Sequence, residues 1–380
     1  MSDNTAVLSE KKPIVERLES LAESPYMKLL LWPASLFYGL GAWLRGLFFD
    51  LGLARSVGAP VPVISVGNIT VGGTGKTPVV IDLATRMIAS GVKVAILSRG
   101  YGRLTKASTV VVSAGYGPIA GVLDSGDEPS QMAQAVPRAV IIVDSLRSRA
   151  AYLAVKKYGA NLLLLDDGFQ HRKLRRDLDV VLFDYNDLID ELKLLPAGRL
   201  REPLSGLARA STIVVTKIPS AERFDSVVVD DLARLSGRLA KLAPKAVLRY
   251  CRFTPRYLIN GESGESMDLA DLRGKKVFVF SGIATPDSLV ANVHETGAEL
   301  SGLLEFGDHH WYSPGDLAAI EKSFNESGAA YIITTEKDMV RLPQTASLRA
   351  KTLAMVLATE WVDANGSEIN APDFWSNLRR

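Results

Sequence analysis

Residues 70–78 read TVGGTGKTP, and they stand between an apolar run, PVISVGNI (62–69), and a segment of helical pattern, TPVVIDLATRMIAS. A glycine-rich turn in that setting constrains the fold more than any other feature of the chain. With no Cβ at Gly72, Gly73 and Gly75, the backbone can turn its N–H groups toward phosphate oxygens. The helix after the turn adds the positive end of its dipole. Within the run Gly72, Gly73, Thr74, Gly75, Lys76, Thr77 and Pro78, the Lys76 ammonium is suited to the β and γ phosphates of a nucleotide. The Thr77 hydroxyl is suited to Mg²⁺. The strict pattern asks for glycine at 70 and finds Thr70, so the match rests on its GKT half and on strand, loop and helix following one another.

The remaining apolar runs extend this beginning into a fold class. VAILSRG (94–100), TVVVS (109–113), VIIVDS (140–145), LLLLDD (162–167), VVLFD (180–184) and TIVVTK (212–217) are mostly continuous rather than alternating, as expected of parallel strands covered on both faces. Helix-length segments such as RSRAAYLAVKKYG lie between them. The expectation is an α/β chain with a P-loop doubly wound, mostly parallel sheet. At 380 residues the chain exceeds one typical core. A boundary is expected near Pro219–Arg223, with a smaller α/β lobe after it. There Thr285-Pro286 and Ser313-Pro314 mark helix starts, the second with Asp316 in the capping-box position. The expected division is therefore 1–55, 56–220 and 221–380.

Asp166-Asp167 closes a run of four leucines, the usual shape of a second P-loop motif, in which a carboxylate holds Mg²⁺ directly or through water. The sequence does not choose between the two. VVTKIP raises guanine recognition, but Pro219 stands where an aspartate would accept the guanine hydrogen bonds, so ATP is expected. A formal net charge of +2 argues against a general nucleic-acid binder, and the single cysteine, Cys251, excludes a disulfide framework or a Cys-rich zinc site.

From Leu29 to Leu44 the chain carries no charge, with Lys28 and Arg45 at its flanks and tryptophans at 32 and 43. A helix of that length reaches roughly 24 Å, short of a hydrocarbon core of about 30 Å. Pro33 is expected to kink or end it near its start. A polar stretch precedes it, which fits a signal peptide poorly. The expectation is a membrane-associated helix lying in the interface, against the alternative of a buried core helix.

Several segments together resemble the tetraacyldisaccharide 4′-kinase family: VGNITVGGTGKTP (66–78), SRGYGR (98–103), GDEP (126–129), DDGFQH (166–171), LPAGRLREP (195–203), SGIATPDSL (281–289), FGDHHWY (306–312) and TTEKDMVRL (334–342). The resemblance implies ATP-dependent phosphorylation of the 4′ hydroxyl of a lipid A disaccharide 1-phosphate, a glycolipid. It also implies work at the cytoplasmic face of a Gram-negative inner membrane, peripheral or monotopic, with no nucleic acid and no obligate protein partner. It implies Asp127 as the base that accepts the hydroxyl proton, with His309 or His310 tuning it when the lobes close. From sequence alone Asp127 reads first as a helix N-cap. Lys76 and Asp167 join the catalytic set, and Thr77, Asp166, Asp167 and Glu202 are the expected oxygen ligands of Mg²⁺. Arg147, Gln170 and Arg201 are expected at the substrate, and the basic run HRKLRRD (171–177) at the substrate 1-phosphate or anionic headgroups, against the alternative of a solvated loop. The competing function is a P-loop switch ATPase that acts on a protein partner at the membrane.

Overall fold

The computed structural model describes residues 25–105, 107–187, 189, 191–373 and 378. By its contacts the chain divides into a larger unit, 22–253 with 359–380, and a smaller one that contains 254–358. The expected boundary near 220 falls inside the larger unit, and the physical reason is the helix just beyond it. Val228, Leu232, Leu235 and Leu239 form one buried stripe at helical spacing. Leu232, Leu235 and Leu239 join the same apolar cluster as Phe183, Ile213 and Val215 of two central strands.

The larger unit begins with α1 (Pro25–Asp50). It continues with β1 (Val63–Asn68), α2 (Lys76–Ala89), β2 (Val94–Ser98), β3 (Thr109–Ala114), α3 (Asp127–Ala135), β4 (Val140–Asp144), α4 (Arg147–Tyr158), β5 (Leu162–Asp166), β6 (Leu178–Asp184), β7 (Thr212–Thr216), α5 (Ser226–Leu242) and the first half of β8 (Val247–Asn260), whose residues from Thr254 belong to the smaller unit. The sheet order is β8-β7-β6-β1-β5-β2-β4-β3. Pairing is parallel throughout except for β3, which runs antiparallel along β4 at the edge. Every residue of β1, β2, β4, β5 and β7 is buried, which explains why these strands read as continuous apolar runs. The strand order reverses beside β1, so the loops after β1 and β5 open at the switch point where α/β folds bind ligands. The far end of the chain belongs here too. Trp361 is buried in the main core, and its indole Nε1 donates to Asp82 Oδ2 of α2 at 2.9 Å.

In the smaller unit, β9 (Ser266–Met267), β10 (Lys276–Ser281), α6 (Pro286–Glu295), β11 (Glu299–Glu305), α7 (Pro314–Ser327), β12 (Tyr331–Thr335), α8 (Glu336–Arg341) and β13 (Thr352–Val362) come in that order. Its strands run β11-β10-β12-β13, all parallel. The start of α7 is as expected: Ser313 and Asp316 close a full capping box, with Pro314 in the first turn. Thr285 is the cap residue of α6, although its side chain makes no capping hydrogen bond.

Helix α1 departs from expectation at Pro33, which neither ends nor begins it. Ser35 and Gly39 face the body: Ser35 Oγ donates to Leu194 O at 3.1 Å and accepts from Ala197 N at 2.9 Å. A Cβ at Gly39 would lie 2.6 Å from Leu194 Cδ1. Trp32, Leu36, Phe37, Leu40, Trp43 and Phe48 are exposed along the same helix. Among the described residues no helix is long and apolar enough to cross a membrane.

Candidate active site

The loop after β1 is built by a few backbone and side-chain ties. Gly75 is the cap of α2 in the left-handed region, φ 80°, and a Cβ there would stand 2.2 Å from the Phe253 ring, so only glycine fits. Asn68, the last residue of β1, donates from Nδ2 to Thr74 Oγ1 at 3.0 Å, and its Oδ1 accepts from Lys76 Nζ at 3.3 Å. Thr216, at the end of β7, donates its hydroxyl to the Thr74 carbonyl at 2.9 Å. The Thr-Lys pair that raised guanine recognition thus supports the loop from below, and Lys217 pairs with Asp184 at 2.7 Å. Thr77 is buried in the first turn of α2.

The end of β5 separates the two aspartates that the sequence left equivalent. Asp166 is 1% exposed; Ser98 Oγ of SRGYGR donates to its Oδ2 at 2.8 Å, while its Oδ1 is buried and has no partner. Burial, with the nearby charges of Glu128 and Asp167, pushes its carboxyl up to about 6. Asp167 takes a left-handed backbone, φ 49°, and turns to two cations: Lys76 Nζ at 3.6 Å and Arg201 Nη1 at 2.8 and 2.9 Å. Burial acts to raise its carboxyl too, but Lys76 and Arg201 outweigh it and hold the group below the usual range.

An ionised Asp166 is expensive in the absence of a cation, and that cost is measurable. An unfolded aspartate titrates near 3.9, so between about pH 4 and pH 6 the folded protein binds more protons than the unfolded chain. Stability from this group falls as pH rises through that window, and the full penalty stands above it. Asp166→Asn is expected to stabilise the nucleotide-free protein at pH 8 by on the order of 1–3 kcal/mol, with the gain gone below about pH 4. Urea unfolding of both forms across that range checks it; a gain independent of pH would rule the account out.

Asp127 sits one residue beyond the position from which a side chain caps. Gly126 is the cap of α3, and Asp127 is its first helical residue, with Oδ1 accepting from Glu128 N at 2.9 Å. Gly126 is fixed by contact, since a Cβ there would lie 2.8 Å from the Tyr101 carbonyl. The GDEP, SRGYGR and DDGFQH segments therefore converge beside the glycine-rich loop: Gly126 on Tyr101, Ser98 on Asp166, and Glu128 close enough to raise Asp166.

Other expected contacts are braces within the protein. Arg147, expected at the substrate, is 2% exposed, and its guanidinium donates to the carbonyls of Asp144 (2.7 Å) and Asp166 (3.3 Å). Gln170 Nε2 donates to the Asn68 carbonyl and to Glu202 Oε1, each at 2.8 Å. Glu202, expected at the metal, spends its other oxygen on Arg209 at 2.7 Å. Arg201 is bound to Asp167 through its side chain and to Tyr38 of α1 through its carbonyl, which accepts from the Tyr38 hydroxyl at 2.8 Å.

In the smaller unit the two histidines differ. His310 stacks on Phe306, with ring centroids 4.9 Å apart, and its Nε2 lies 3.0 Å from Asp316 Oδ2. His309 is held in the left-handed region, φ 58°, with its N–H donating to the Gly282 carbonyl at 3.2 Å. Asp338 is fully buried and collects Gly282 N, the Tyr312 hydroxyl, Thr335 Oγ1 and Arg341, so this loop is tied to the TTEKD segment.

A family model described as tetraacyldisaccharide-1-P 4′-kinase matches residues 27–370. The chain belongs to that family. The family match also runs past residue 342, where the motif resemblance ended, and takes in β13 and Trp361. The chain is 40% identical to the tetraacyldisaccharide 4′-kinase of Syntrophus aciditrophicus over 84% of its own length and 85% of the relative's. It is 38% identical to that of Bdellovibrio bacteriovorus, over 84% and 90%. A crystal structure of an "apo" form of LpxK from Aquifex aeolicus in complex with ATP superposes with a TM-score of 0.70 at 29% identity, covering 88% of this chain and 95% of its own.

Sequence reasoning missed Asn68, Ser98, Glu128 and Thr216. The first three lie inside segments that carry the family resemblance, and the signal was their chemistry: a buried amide, a hydroxyl and a second carboxylate within motifs that meet at one strand end.

Proposed function

We propose that this chain transfers the γ-phosphate of ATP to the 4′ hydroxyl of a tetraacyldisaccharide 1-phosphate, with Mg²⁺, at a membrane surface. The observation that carries the chemistry is Asp166: a buried carboxylate with one orphan oxygen beside a glycine-rich loop whose lysine already meets an anion. Hard oxygen donors suit Mg²⁺, which keeps several waters and phosphate oxygens rather than filling a protein cage. Among the described residues no three acidic or histidine side chains form such a cage. Thr77 and Asp166 are the groups that would hold the ion, and it would supply charge neutralisation to the transferring phosphoryl group.

The chain's own residues do the rest. Backbone N–H groups of 72–77 cradle the phosphates, and Lys76 tracks the charge that develops on them. Asp167 keeps Lys76 and Arg201 in register while no nucleotide is bound. Asp127, at a helix start that favours an anion, takes the proton from the sugar hydroxyl. Arg147 acts as a positioning residue beneath Asp166, and Glu202 does the same for Gln170 and Arg209.

The acceptor carries acyl chains, and α1 offers the matching surface. Its exposed surface presents Trp32, Phe37, Trp43 and Phe48 to solvent, apolar side chains suited to the headgroup boundary. Replacing Phe37 and Trp43 by glutamine is expected to weaken partition into phospholipid vesicles about tenfold, since each ring buries well over roughly 100 Å². Sedimentation with vesicles reads this, and an unchanged partition would make these side chains a surface for something else. The reaction itself is tested by incubating the protein with γ-labelled ATP and the dispersed acceptor. Label in a glycolipid, dependent on Mg²⁺, supports the kinase. ATP hydrolysis at the same rate with and without acceptor, and no labelled lipid, would support a switch ATPase.

A further inference from the structure

The segment 199–201 runs alongside the first arm of the phosphate loop. Thr70 and Leu200 form an antiparallel bridge. Val71 N donates to the Arg199 carbonyl and Arg201 N to the Ile69 carbonyl, each at 2.7 Å. This register fixes Arg199 opposite Val71, one residue before the paired glycines. Its guanidinium then folds over the turn. Nε and Nη2 donate to the Val71 carbonyl at 3.2 and 2.9 Å. Gly72 takes φ 106°, and a Cβ there would lie 2.7 Å from Nη2. A side chain at residue 72 would push the guanidinium away, so this glycine lets a cation approach the loop as well as turning the backbone.

The carboxylate that holds the guanidinium from the other side is a poor permanent partner. Asp187, three residues past the end of β6, accepts from Nη1 at 2.6 Å, and it is buried. Burial pushes its carboxyl above the ordinary range; Arg199 offsets this only in part, and Asp184 adds to it. Three of the five guanidinium N–H groups are used in these bonds, and the arginine side chain is half exposed. Donors therefore remain for a ligand in the loop. The other arginines beside the loop are engaged at the end of β5, Arg201 on Asp167 and Arg147 on the Asp166 carbonyl.

The chemistry of transfer gives such a cation a use. The acceptor oxygen bonds to the γ-phosphorus as the bond to the β–γ bridging oxygen breaks; the electron pair leaves with ADP, and the hydroxyl proton passes to Asp127. Charge shifts toward the bridging and phosphoryl oxygens, where an arginine supplied from beside the loop stabilises the transition state.

We propose that Arg199 is a catalytic residue of phosphoryl transfer, held by Asp187 between turnovers and released to the oxygens of the transferring group when a nucleotide binds. The inference deepens the kinase reading and rests on it for the acceptor.

The test uses the full chain and the variants Arg199→Gln, Arg199→Lys and Asp187→Asn. Single-turnover transfer is expected to slow about 10²-fold in Arg199→Gln, the scale of losing one preorganised donor. Arg199→Lys should be nearly as slow, because an ammonium lacks the planar fork. Calorimetry of binding gives a readout apart from turnover. Mg·ADP should bind both variants as it binds the unaltered protein. Affinity for Mg·ADP with aluminium fluoride, a mimic of the transferring group, should fall about as far as the rate. Asp187→Asn should keep the rate, since the carboxylate only holds the arginine in waiting. If Asp187→Asn is as slow as Arg199→Gln, or if Arg199→Gln loses Mg·ADP and the fluoride complex equally, Arg199 is a clamp on the loop and the proposal falls. Unchanged transfer in Arg199→Gln overturns it too. Should the unaltered protein label no glycolipid, the kinase reading fails, and ATP hydrolysis decides for Arg199. A loss of the same size there keeps the arginine at the phosphoryl group, and no loss removes it.

Discussion

Lys76→Ala is expected to slow phosphoryl transfer by about 10³-fold or more, with the fold intact and acceptor binding unchanged. The magnitude comes from the work of the ammonium. Charge spreads over the phosphoryl oxygens in the transition state, and a preorganised donor aimed at it contributes about 10²–10³-fold, with cationic groups at the higher end. In the structure Lys76 already sits against anionic and amide oxygens, 3.6 Å from Asp167 and 3.3 Å from Asn68 Oδ1, so its position is set before a nucleotide arrives. Its removal leaves Asp167 paired with Arg201, and Asn68 still holds Thr74, so the loop keeps its shape. The loss should therefore appear mainly in kcat. Near-normal turnover at saturating Mg·ATP would remove the phosphate-loop assignment, and a lowered melting temperature would show that Lys76 is a structural tie instead.

The parts of this site that could be read from the sequence are those whose physics is local. Glycines that must adopt a left-handed backbone, a lysine and a hydroxyl at fixed offsets, and an apolar strand that ends in carboxylates announce themselves within a few residues. The unreadable parts depend on approach in space. Nothing near Asp166 says that Ser98, 68 residues earlier, donates to it. Nor does the sequence distinguish Asp166 from Asp167, because the difference lies in the surroundings of each: Glu128 and the strand core for one, Lys76 and Arg201 for the other.

Residue type also does not show where a side chain with the right chemistry already has partners within the protein. Glu202 and Gln170 carry the groups a metal or sugar site would want, yet they satisfy each other and their neighbours. Arg147 obeys the same rule from the other direction. A helix arginine is by default solvated, but α4 turns Ala150, Ala151 and Ala154 inward, and Arg147 goes with them beneath the strand ends. The domain boundary failed for a similar reason. A turn-rich stretch at 219–223 marks a loop, and only the packing of α5 on β6 and β7 shows that residues 226–242 belong to the larger unit.

The choice of proton acceptor carries the other large effect: Asp127→Asn is expected to lower kcat by about 10²-fold or more, the usual scale for losing general-base help. Three aspartates near the loop compete for the role. Asp167 is the poorest base, because two cations hold its carboxyl below the usual range. Asp166 is more basic, but it is 1% exposed and its orphan oxygen is claimed by the proposed metal. Asp127 is 4% exposed at the first residue of α3, in a segment pinned by Gly126 against Tyr101, and the helix start favours its anion. Asparagine keeps the shape and the oxygen that accepts from Glu128 N, so α3 should survive the change. ATP affinity should hold as well, since the phosphates are gripped by residues 72–77. The decisive measurement is single-turnover transfer to the acceptor, where chemistry is separated from product release. If Asp127→Asn transfers phosphate at the unaltered rate under those conditions, Asp127 only begins a helix. The proton must then leave through Asp166, and Asp166→Asn would have to abolish transfer even where Mg²⁺ binding persists.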